Sequence, residues 1–221
     1  MWNGISTIID SYQPDGVCFL GDVLDYNSET TADLFGRGLE RINVPYMYLR
    51  ADHDLGIWYA EDRLTQEDAF IISIAVAPWE EFFLMEYEEF YILGWNNSTS
   101  QLSENGLQLA KDYFDRAQGS QKPIVLMTHV PINSMIDNKL EIQAREFDPQ
   151  NRAKLWGSQC LYQPEEMTQE FLDMLIADNS PVRAIVSGHL HFPFVIDINE
   201  NITEYVMAPA YRGEIGIIHI Q

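Results

Sequence analysis

The sequence has few basic residues, few cysteines and no long apolar run. Against 34 Asp and Glu it has only 13 Lys and Arg, which gives a formal net charge of −21. A chain this acidic repels nucleic acid phosphates and anionic membrane surfaces, so a grip on nucleic acid through bulk charge is excluded. The same field attracts metal cations, although acidic surfaces also serve simply to keep proteins soluble. The charge alone therefore identifies no partner.

The scarcity of cysteine and of apolar runs bears on the compartment. Cys18 and Cys160 supply neither a disulfide framework nor a CxxC metal motif. No stretch approaches the roughly 20 apolar residues that a membrane span requires, and residues 1–10 lack the basic start and apolar run of a signal peptide. We expect a soluble chain with no membrane partner and the cytoplasm as its default location. The tripeptide that begins at Asn97 matches a glycosylation acceptor, which carries no weight without a secretory signal.

The sequence does contain an alternation of short apolar runs with amphipathic helical segments. Its 221 residues, 46% of them hydrophobic, fit one domain with a large core. The runs are too uniformly apolar for half-exposed strands and predict strands covered on both faces. They occupy residues 17–20, 46–49, 124–127 and 184–186. Helices are predicted over about 28–42, from near Ser103 and from Glu165.

Other segments have the pattern of hairpins, in which apolar stretches are joined by short acidic turns. These stretches are 82–85, 90–95, 194–198, 203–207 and 216–220. Between Pro131 and Pro164 no apolar period is sustained, which predicts a long loop, and such loops are often functional. Together the patterns predict a mixed α/β fold in a single domain over residues 1–221.

Polar residues follow directly after each of the four buried runs, and they include four of the five histidines. The segments are Gly-Asp-Val-Leu-Asp at 21–25, Arg-Ala-Asp-His-Asp at 50–54, Thr-His-Val-Pro at 128–131 and Ser-Gly-His-Leu-His at 187–191. Ligands and catalytic groups of α/β sheets gather at the carboxyl ends of strands, so these side chains are expected to converge. Carboxylates and imidazoles brought together in this way predict a metal site.

In order and spacing these segments resemble the motifs of the calcineurin-like metallophosphoesterase family. The resemblance covers the chain from about Asp15 to its end. It implies two mixed β-sheets packed as a sandwich flanked by helices, in a four-layer metallophosphatase-like architecture. It also implies a metal-dependent phosphoric ester hydrolase, either a phosphomonoesterase or a phosphodiesterase, that acts on a small phosphoester by means of a metal-bound hydroxide.

Carried over residue by residue, the resemblance implies that Asp22 bridges two divalent ions and that Asp52, His129 and His189 complete one of them. The sequence departs from the family pattern at Asp52, where the family usually has Asn, and at Ala51, where it usually has Gly. A carboxylate at position 52 is expected to bind the ion more tightly and to leave it a weaker Lewis acid.

The other ion would be bound by His191 and by an Asp-x-His motif that the family has at the end of its first strand. The sequence has no such motif, and residues 4–12 resemble the end of the helix that follows that strand. The domain is therefore expected to be N-terminally incomplete, with one ion in this chain and two in a complete family site. Oxygen and nitrogen ligands without thiolate suit Mn, Fe, Zn or Ni.

Three further residues are candidates for catalysis. His53 is the expected proton donor to the leaving oxygen, and a carboxylate such as Asp25 or Asp54 would orient it. The alternative for Asp25 and Asp54 is that they cap the helix or turn that follows them, which for Asp25 is equally favoured.

The residues that would hold the substrate are less well marked. Arg145, Arg152 and Arg212 could each bind a phosphate through paired donors, and we favour Arg212. Tyr211 and Trp156 could stack on a ring of the substrate, although aromatic residues more often pack in a core.

Two alternatives to this enzyme share parts of the sequence pattern. One is a noncatalytic metal-binding relative, or an inactive fragment, whose dinuclear site is incomplete and whose fold serves for interaction. The other is an all-helical phosphohydrolase built on His-Asp pairs, which shares only His53-Asp54 and is excluded because residues 46–49 predict a strand. The patterns predict no oligomeric state.

Overall fold

The computed structural model of the protein describes residues 2–25, 27–55, 81–98, 101–148 and 150–220. Within these ranges the strands are β1 (Val17–Phe19), β2 (Tyr46–Tyr48), β3 (Phe82–Glu86), β4 (Tyr91–Trp95), β5 (Ile124–Thr128), β6 (Val182–Ser187), β7 (Phe194–Asp197) and β8 (Thr203–Val206). The helices are α1 (Trp2–Tyr12), α2 (Glu29–Leu39), α3 (Glu104–Ser120), α4 (Lys139–Phe147) and α5 (Glu166–Ile176). Short 3₁₀ turns lie at His53–Leu55 and Ala210–Arg212. No described helix is long and apolar enough to cross a bilayer.

The strands form a large mixed sheet and a small parallel one. The large sheet has the order β3-β4-β5-β6-β8-β7, and the small sheet pairs β1 with β2. Parallel pairings occupy the centre of the large sheet, and antiparallel hairpins close it at both sides. Every residue of β5 is buried, as expected of a central strand covered on both faces. The mixed α/β fold predicted from the sequence is thus confirmed.

An apolar layer joins the two sheets. It contains Met47 of β2, Leu49 directly after β2, and Val125, Met127 and Val186 from the large sheet. These side chains come from the predicted buried runs, which explains why those runs are apolar at every position.

Helices cover the outer face of each sheet. Phe171 of α5 packs on Trp95 of β4, with ring centroids 4.8 Å apart, in the main core of the protein. Phe35 of α2 packs edge-on against Phe19 and Tyr48 of the small sheet. The order helix, sheet, sheet, helix is the four-layer architecture that the family resemblance implies.

Side-chain caps fix the starts of α2 and α3 where the sequence predicts them. Ser28 accepts a hydrogen bond from the amide of Thr31, whose hydroxyl accepts the amide of Ser28 in return, so that a capping box begins α2. Ser103 accepts the amide of Gly106 and caps α3 in the same way.

Two expectations from the sequence are wrong. Residues 216–220 form no strand. Ile217 and Ile218 are both exposed, so the apolar composition of this segment does not reflect pairing in a sheet. The predicted loop after Pro131 contains α4, whose buried face consists of Leu140 and Ala144. Two apolar residues four positions apart are too few to establish a helical period in the sequence.

A buried acid on β8 supports the loop that follows β5. Glu204 is fully buried, and both of its carboxylate oxygens accept the backbone amide of Ile132 at 3.2 Å. Burial raises the pKa of Glu204 to about 8. In the folded protein Glu204 therefore keeps its proton across a pH range in which the unfolded chain has released it.

The free energy of unfolding is expected to fall between about pH 5 and pH 8, because the folded state binds the Glu204 proton and the unfolded state does not. The substitution Glu204→Gln keeps a side-chain oxygen that can accept the Ile132 amide, but the Gln side chain does not titrate. Relative to the natural protein, the variant should gain at least about 1 kcal/mol between pH 5 and pH 8 in urea unfolding. Identical pH dependence in the two proteins would contradict this assignment.

Candidate functional site

The loops that follow β1, β2, β5 and β6 meet beside the layer between the sheets. They bring together Asp22, Asp52, His129 and His189, and one nitrogen or carboxylate oxygen from each lies within 4.8 Å of the others. In the part of the chain that the structure describes, this is the one group of three or more such side chains placed to share an ion. The convergence expected from the four strand ends is thus present in the fold.

His129 is held so that one ring nitrogen faces the cluster. Its Nδ1 lies 2.6 Å from the carbonyl oxygen of Leu20. Since a carbonyl can only accept, Nδ1 carries the proton and Nε2 has the lone pair when the ring is neutral. Nε2 lies 3.3 Å from Oδ2 of Asp22. A histidine fixed through its second nitrogen in this way is typical of metal sites.

His189 completes the nitrogen side of the cluster. Its Nδ1 lies 3.0 Å from Nε2 of His129, so the two nitrogens must share a proton or bind a common cation. On the other side of the ring, Nε2 lies 3.4 Å from the hydroxyl of Tyr162. Burial lowers the pKa of His189 well below its usual value, and the neighbouring His129 lowers it further.

The donor set fits a divalent transition metal. Ligand atoms about 2.0–2.2 Å from one ion lie roughly 3–4 Å apart, so the cluster needs only small side-chain adjustments to hold one. Burial disfavours the charged form of Asp22, but His129, His53 and His189 outweigh it and lower its pKa to about 2. Asp22 is therefore ionised, as a ligand must be. The Asp52 side chain is 52% exposed and lies on the open side of the cluster, 4.0 Å from Nε2 of His129.

The backbone of the cluster adopts a conformation that side chains rarely tolerate. Asp22, His189 and His191 have φ of 51°, 65° and 59°, in the left-handed region. Gly21 has a φ of 90°, and a Cβ at this position would lie 2.7 Å from Nδ1 of His129. Only glycine fits there, which explains the Gly-Asp pair seen in the sequence. Strain of this kind is concentrated at functional sites.

The side chain of Asp54 is fully buried next to the loops that carry the cluster. Its Oδ2 accepts the backbone amides of Asp22 at 2.9 Å and Ala51 at 3.0 Å, and its Oδ1 accepts that of Leu24 at 3.0 Å. Burial raises the pKa of this carboxyl to about 6, against the opposing effect of the amides. Asp54 thus joins the loop after β1 to the loop after β2.

His53 lies beside the cluster with its ring 32% exposed. Its Nδ1 donates to the backbone carbonyl of Asp25 at 3.0 Å, and the Asp25 carboxylate is 3.9 Å away. Its own amide donates to Oδ1 of Asp22 at 3.3 Å. Two carboxylates were expected to orient His53. The structure places Asp25 next to the His53 ring. Asp54 instead binds backbone amides of the loops after β1 and β2.

His191 lies outside the group of four. His191 is exposed, and its ring is in edge contact with that of Tyr211, with centroids 5.7 Å apart. The guanidinium of Arg212 lies 5.8 Å from the centroid of that Tyr211 ring. The structure thus places Arg212 on the His191 side of the site, with an exposed aromatic ring between them.

The other candidate substrate residues have structural partners. Arg145 binds Glu141 at 2.8 Å and donates to the carbonyls of Asn151 and Gln159. Trp156 is buried among aromatic rings of the core. Arg152 lies 3.9 Å from Asp148.

Sequence reasoning missed Asn97, which supports His129. Its buried Oδ1 accepts the amides of His129 at 3.2 Å and Val130 at 2.9 Å, while its Nδ2 donates to the Val130 carbonyl at 2.8 Å. Its neighbour Asn96 accepts the amide of Arg50 at 2.8 Å. The sequence does mark these two residues by position, because Asn96 and Asn97 directly follow the apolar strand β4.

The sequence and the fold are both similar to those of known proteins. The sequence profile of calcineurin-like phosphoesterases matches residues 2–193. No curated protein matches the sequence. A dimetal phosphatase from Danio rerio is similar in structure, with a TM-score of 0.58 and 11% identity over 94% of this chain and 76% of that one. A phosphopantetheinyl hydrolase from Mycobacterium tuberculosis has a TM-score of 0.49 and 13% identity over 87% of this chain and 79% of its own.

Asp22→Asn is expected to weaken binding of Mn²⁺, because it removes the central charge of the cluster. The loss should exceed the roughly 10- to 100-fold effect of removing a residue behind a ligand. Titration calorimetry on the purified chain measures it. Asp33→Asn, a surface change beside Arg37 on α2, is the matched control and should bind as the natural protein does. Equal affinities of all three proteins would rule out ligation by Asp22.

Proposed function

Because the chain belongs to the calcineurin-like phosphoesterase family, we propose that it is a metal-dependent phosphoric ester hydrolase. The main support is the convergence of two carboxylates and two imidazoles within 4.8 Å. Asp22, Asp52, His129 and His189 would hold one ion. A divalent ion bound there would neutralise phosphoryl charge and lower the pKa of water, so no protein nucleophile is required.

His53 acts in this proposal as the general acid. Its Nδ1 bond to the Asp25 carbonyl fixes the ring, so a proton for the leaving oxygen resides on Nε2 of the imidazolium. The bond from its amide to Asp22 keeps the ring next to the cluster. Asp25 is a positioning residue for His53, and Asp54 is a positioning residue for the loops that carry the ligands.

Arg212 remains a proposed phosphate-binding residue on the His191 side. Its guanidinium offers several donors to an anion. The ring of Tyr211 lies beside both Arg212 and His191, which supports a defined position for the guanidinium.

A second candidate function is a metal-binding relative without catalysis. The position of His191 supports it, because among the described residues His191 is not part of the four-residue group that could hold an ion. Metal analysis combined with hydrolysis of p-nitrophenyl phosphate, on this chain and on a form extended upstream of Met1, separates the two. Metal content with hydrolysis in either form supports the enzyme. Metal content without hydrolysis in both forms supports the noncatalytic relative.

His53→Ala is expected to leave metal content near normal and to slow turnover by roughly 10²- to 10⁴-fold, as for loss of a general acid. The loss should be smaller for p-nitrophenyl phosphate than for phenyl phosphate, because the more acidic leaving oxygen needs less protonation. His219→Ala, in the exposed segment near the carboxyl end, serves as the control. Loss of metal, or equal losses on both esters, would refute the acid role.

A further inference from the structure

Tyr162 contacts His189 from outside the four loops that carry the candidate metal ligands. Its hydroxyl oxygen lies 3.4 Å from Nε2 of His189, and the two rings meet edge to face with centroids 5.8 Å apart. The other ring nitrogen of His189, Nδ1, lies 3.0 Å from Nε2 of His129. The imidazole of His189 therefore has the Tyr162 hydroxyl on one side and the cluster on the other.

The two histidines of the cluster face it with different ring nitrogens. His129 directs Nε2 at the cluster and bonds the Leu20 carbonyl through Nδ1. His189 directs Nδ1 at the cluster, so its Nε2 carries the proton when Nδ1 offers a lone pair to an ion. A ligating histidine almost always donates this second N–H to an acceptor, which fixes the orientation of the ring. The hydroxyl oxygen of Tyr162 is placed to be that acceptor.

Backbone hydrogen bonds hold Tyr162 in the folded segment 153–162. Its amide donates to the carbonyl of Leu155 at 3.2 Å, and its carbonyl accepts the amide of Gly157 at 3.0 Å. The amide of the preceding Leu161 donates to the carbonyl of Ala153 at 2.8 Å. Both backbone groups of Tyr162 are thus bonded, so its side chain projects from a fixed point.

The ring of Tyr162 is also held in place. It packs on the ring of Trp156, with centroids 5.5 Å apart. Trp156 is buried, and its indole N–H donates to the backbone carbonyl of Asn97 at 3.0 Å. The side chain of Asn97 in turn accepts the amide of His129 at 3.2 Å. Asn97 therefore supports His129 directly and His189 through the two packed aromatic rings.

We propose that Tyr162 is a positioning residue of the metal site, whose hydroxyl accepts the Nε2 proton of His189 and thereby directs Nδ1 of that ring toward the ion. This role rests on the proposed function, because that function makes His189 a metal ligand. It concerns the binding of the ion rather than the hydrolysis, so it is tested by metal affinity.

Tyr162→Phe keeps the ring that packs on Trp156 and removes only the hydroxyl. The variant is expected to bind Mn²⁺ roughly 10- to 100-fold more weakly than the natural chain, as for the loss of the partner of a ligating histidine. Titration calorimetry measures the two affinities, and urea unfolding of the metal-free proteins checks that the variant is folded.

Tyr91→Phe is the matched control. It removes a hydroxyl that bonds Glu86 at 3.3 Å and Ser120 at 3.4 Å. Tyr91 is the first residue of β4, at the opposite end of that strand from Asn97, so this variant should bind Mn²⁺ as the natural chain does. Natural affinity in Tyr162→Phe, or an equal loss in Tyr91→Phe, would overturn the inference.

A second measurement separates positioning of His189 from a general loss of structure. In the ¹⁵N-labelled, Zn²⁺-loaded chain, the Nε2 proton of His189 should give a ring ¹H–¹⁵N signal, which His189→Ala identifies by its loss. This proton should exchange with water faster in Tyr162→Phe, because its acceptor is gone. Unchanged exchange, or no such signal in the natural chain, would refute the role of Tyr162.

Hydrolysis of p-nitrophenyl phosphate, measured on the same proteins, distinguishes this role from the proposed function. If the chain hydrolyses no ester but Tyr162→Phe weakens Mn²⁺ binding, the positioning role stands and the hydrolase does not. If the chain hydrolyses the ester and Tyr162→Phe binds Mn²⁺ equally well, the hydrolase stands and the positioning role fails. The role also fails if the natural chain binds no Mn²⁺.

Discussion

One buried carboxylate sets the geometry on which the site depends. Asp54 accepts three backbone amides, two from the loop after β1 and one from the loop after β2. Without this acceptor those amides would lie buried without hydrogen bonds, and each such group costs about 1–3 kcal/mol. Burial raises the pKa of Asp54 to about 6, so the three amides only partly offset the cost of taking the carboxylate out of water. Among the residues that the structure describes, the small sheet has two short strands, and the hydrogen bonds of Asp54 add order to the loops that follow them.

Neutral amides serve the same purpose at the large sheet. The side chain of Asn97 accepts the backbone amides of His129 and Val130 and donates to the carbonyl of Val130. Asn96, next to it on the chain, accepts the amide of Arg50 in the loop after β2. Two adjacent side chains at the end of β4 therefore connect loops that belong to different sheets. The distances within the cluster are set by these buried acceptors as much as by the strands themselves.

The sequence predicts those features that depend on local pattern. Uniformly apolar runs mark the central strands, and the residues at their ends include Asp22, Asp52, His129 and His189, which the structure brings together. The roles of Asp54 and Asn97 depend on contacts about 30 residues away along the chain, which no periodicity indicates. Tyr162 lies in a segment without a repeating pattern, so only the fold shows that its hydroxyl reaches His189. Residues 216–220 show the opposite error, since apolar composition predicts a strand there and no partner strand pairs with it.

Hydrogen bonds within the protein hold the strained backbone of the cluster in place. A residue held in the left-handed region costs of order 1–3 kcal/mol and persists only where its surroundings fix it. Asp22, His189 and His191 are all in that region. Their surroundings do fix them, because the Asp22 amide binds Asp54 and the Gly188 amide donates to the His129 carbonyl at 3.0 Å. A preformed group of ligands needs little ordering when it binds a cation, so less binding free energy is lost. The overall negative charge then favours the approach of that cation.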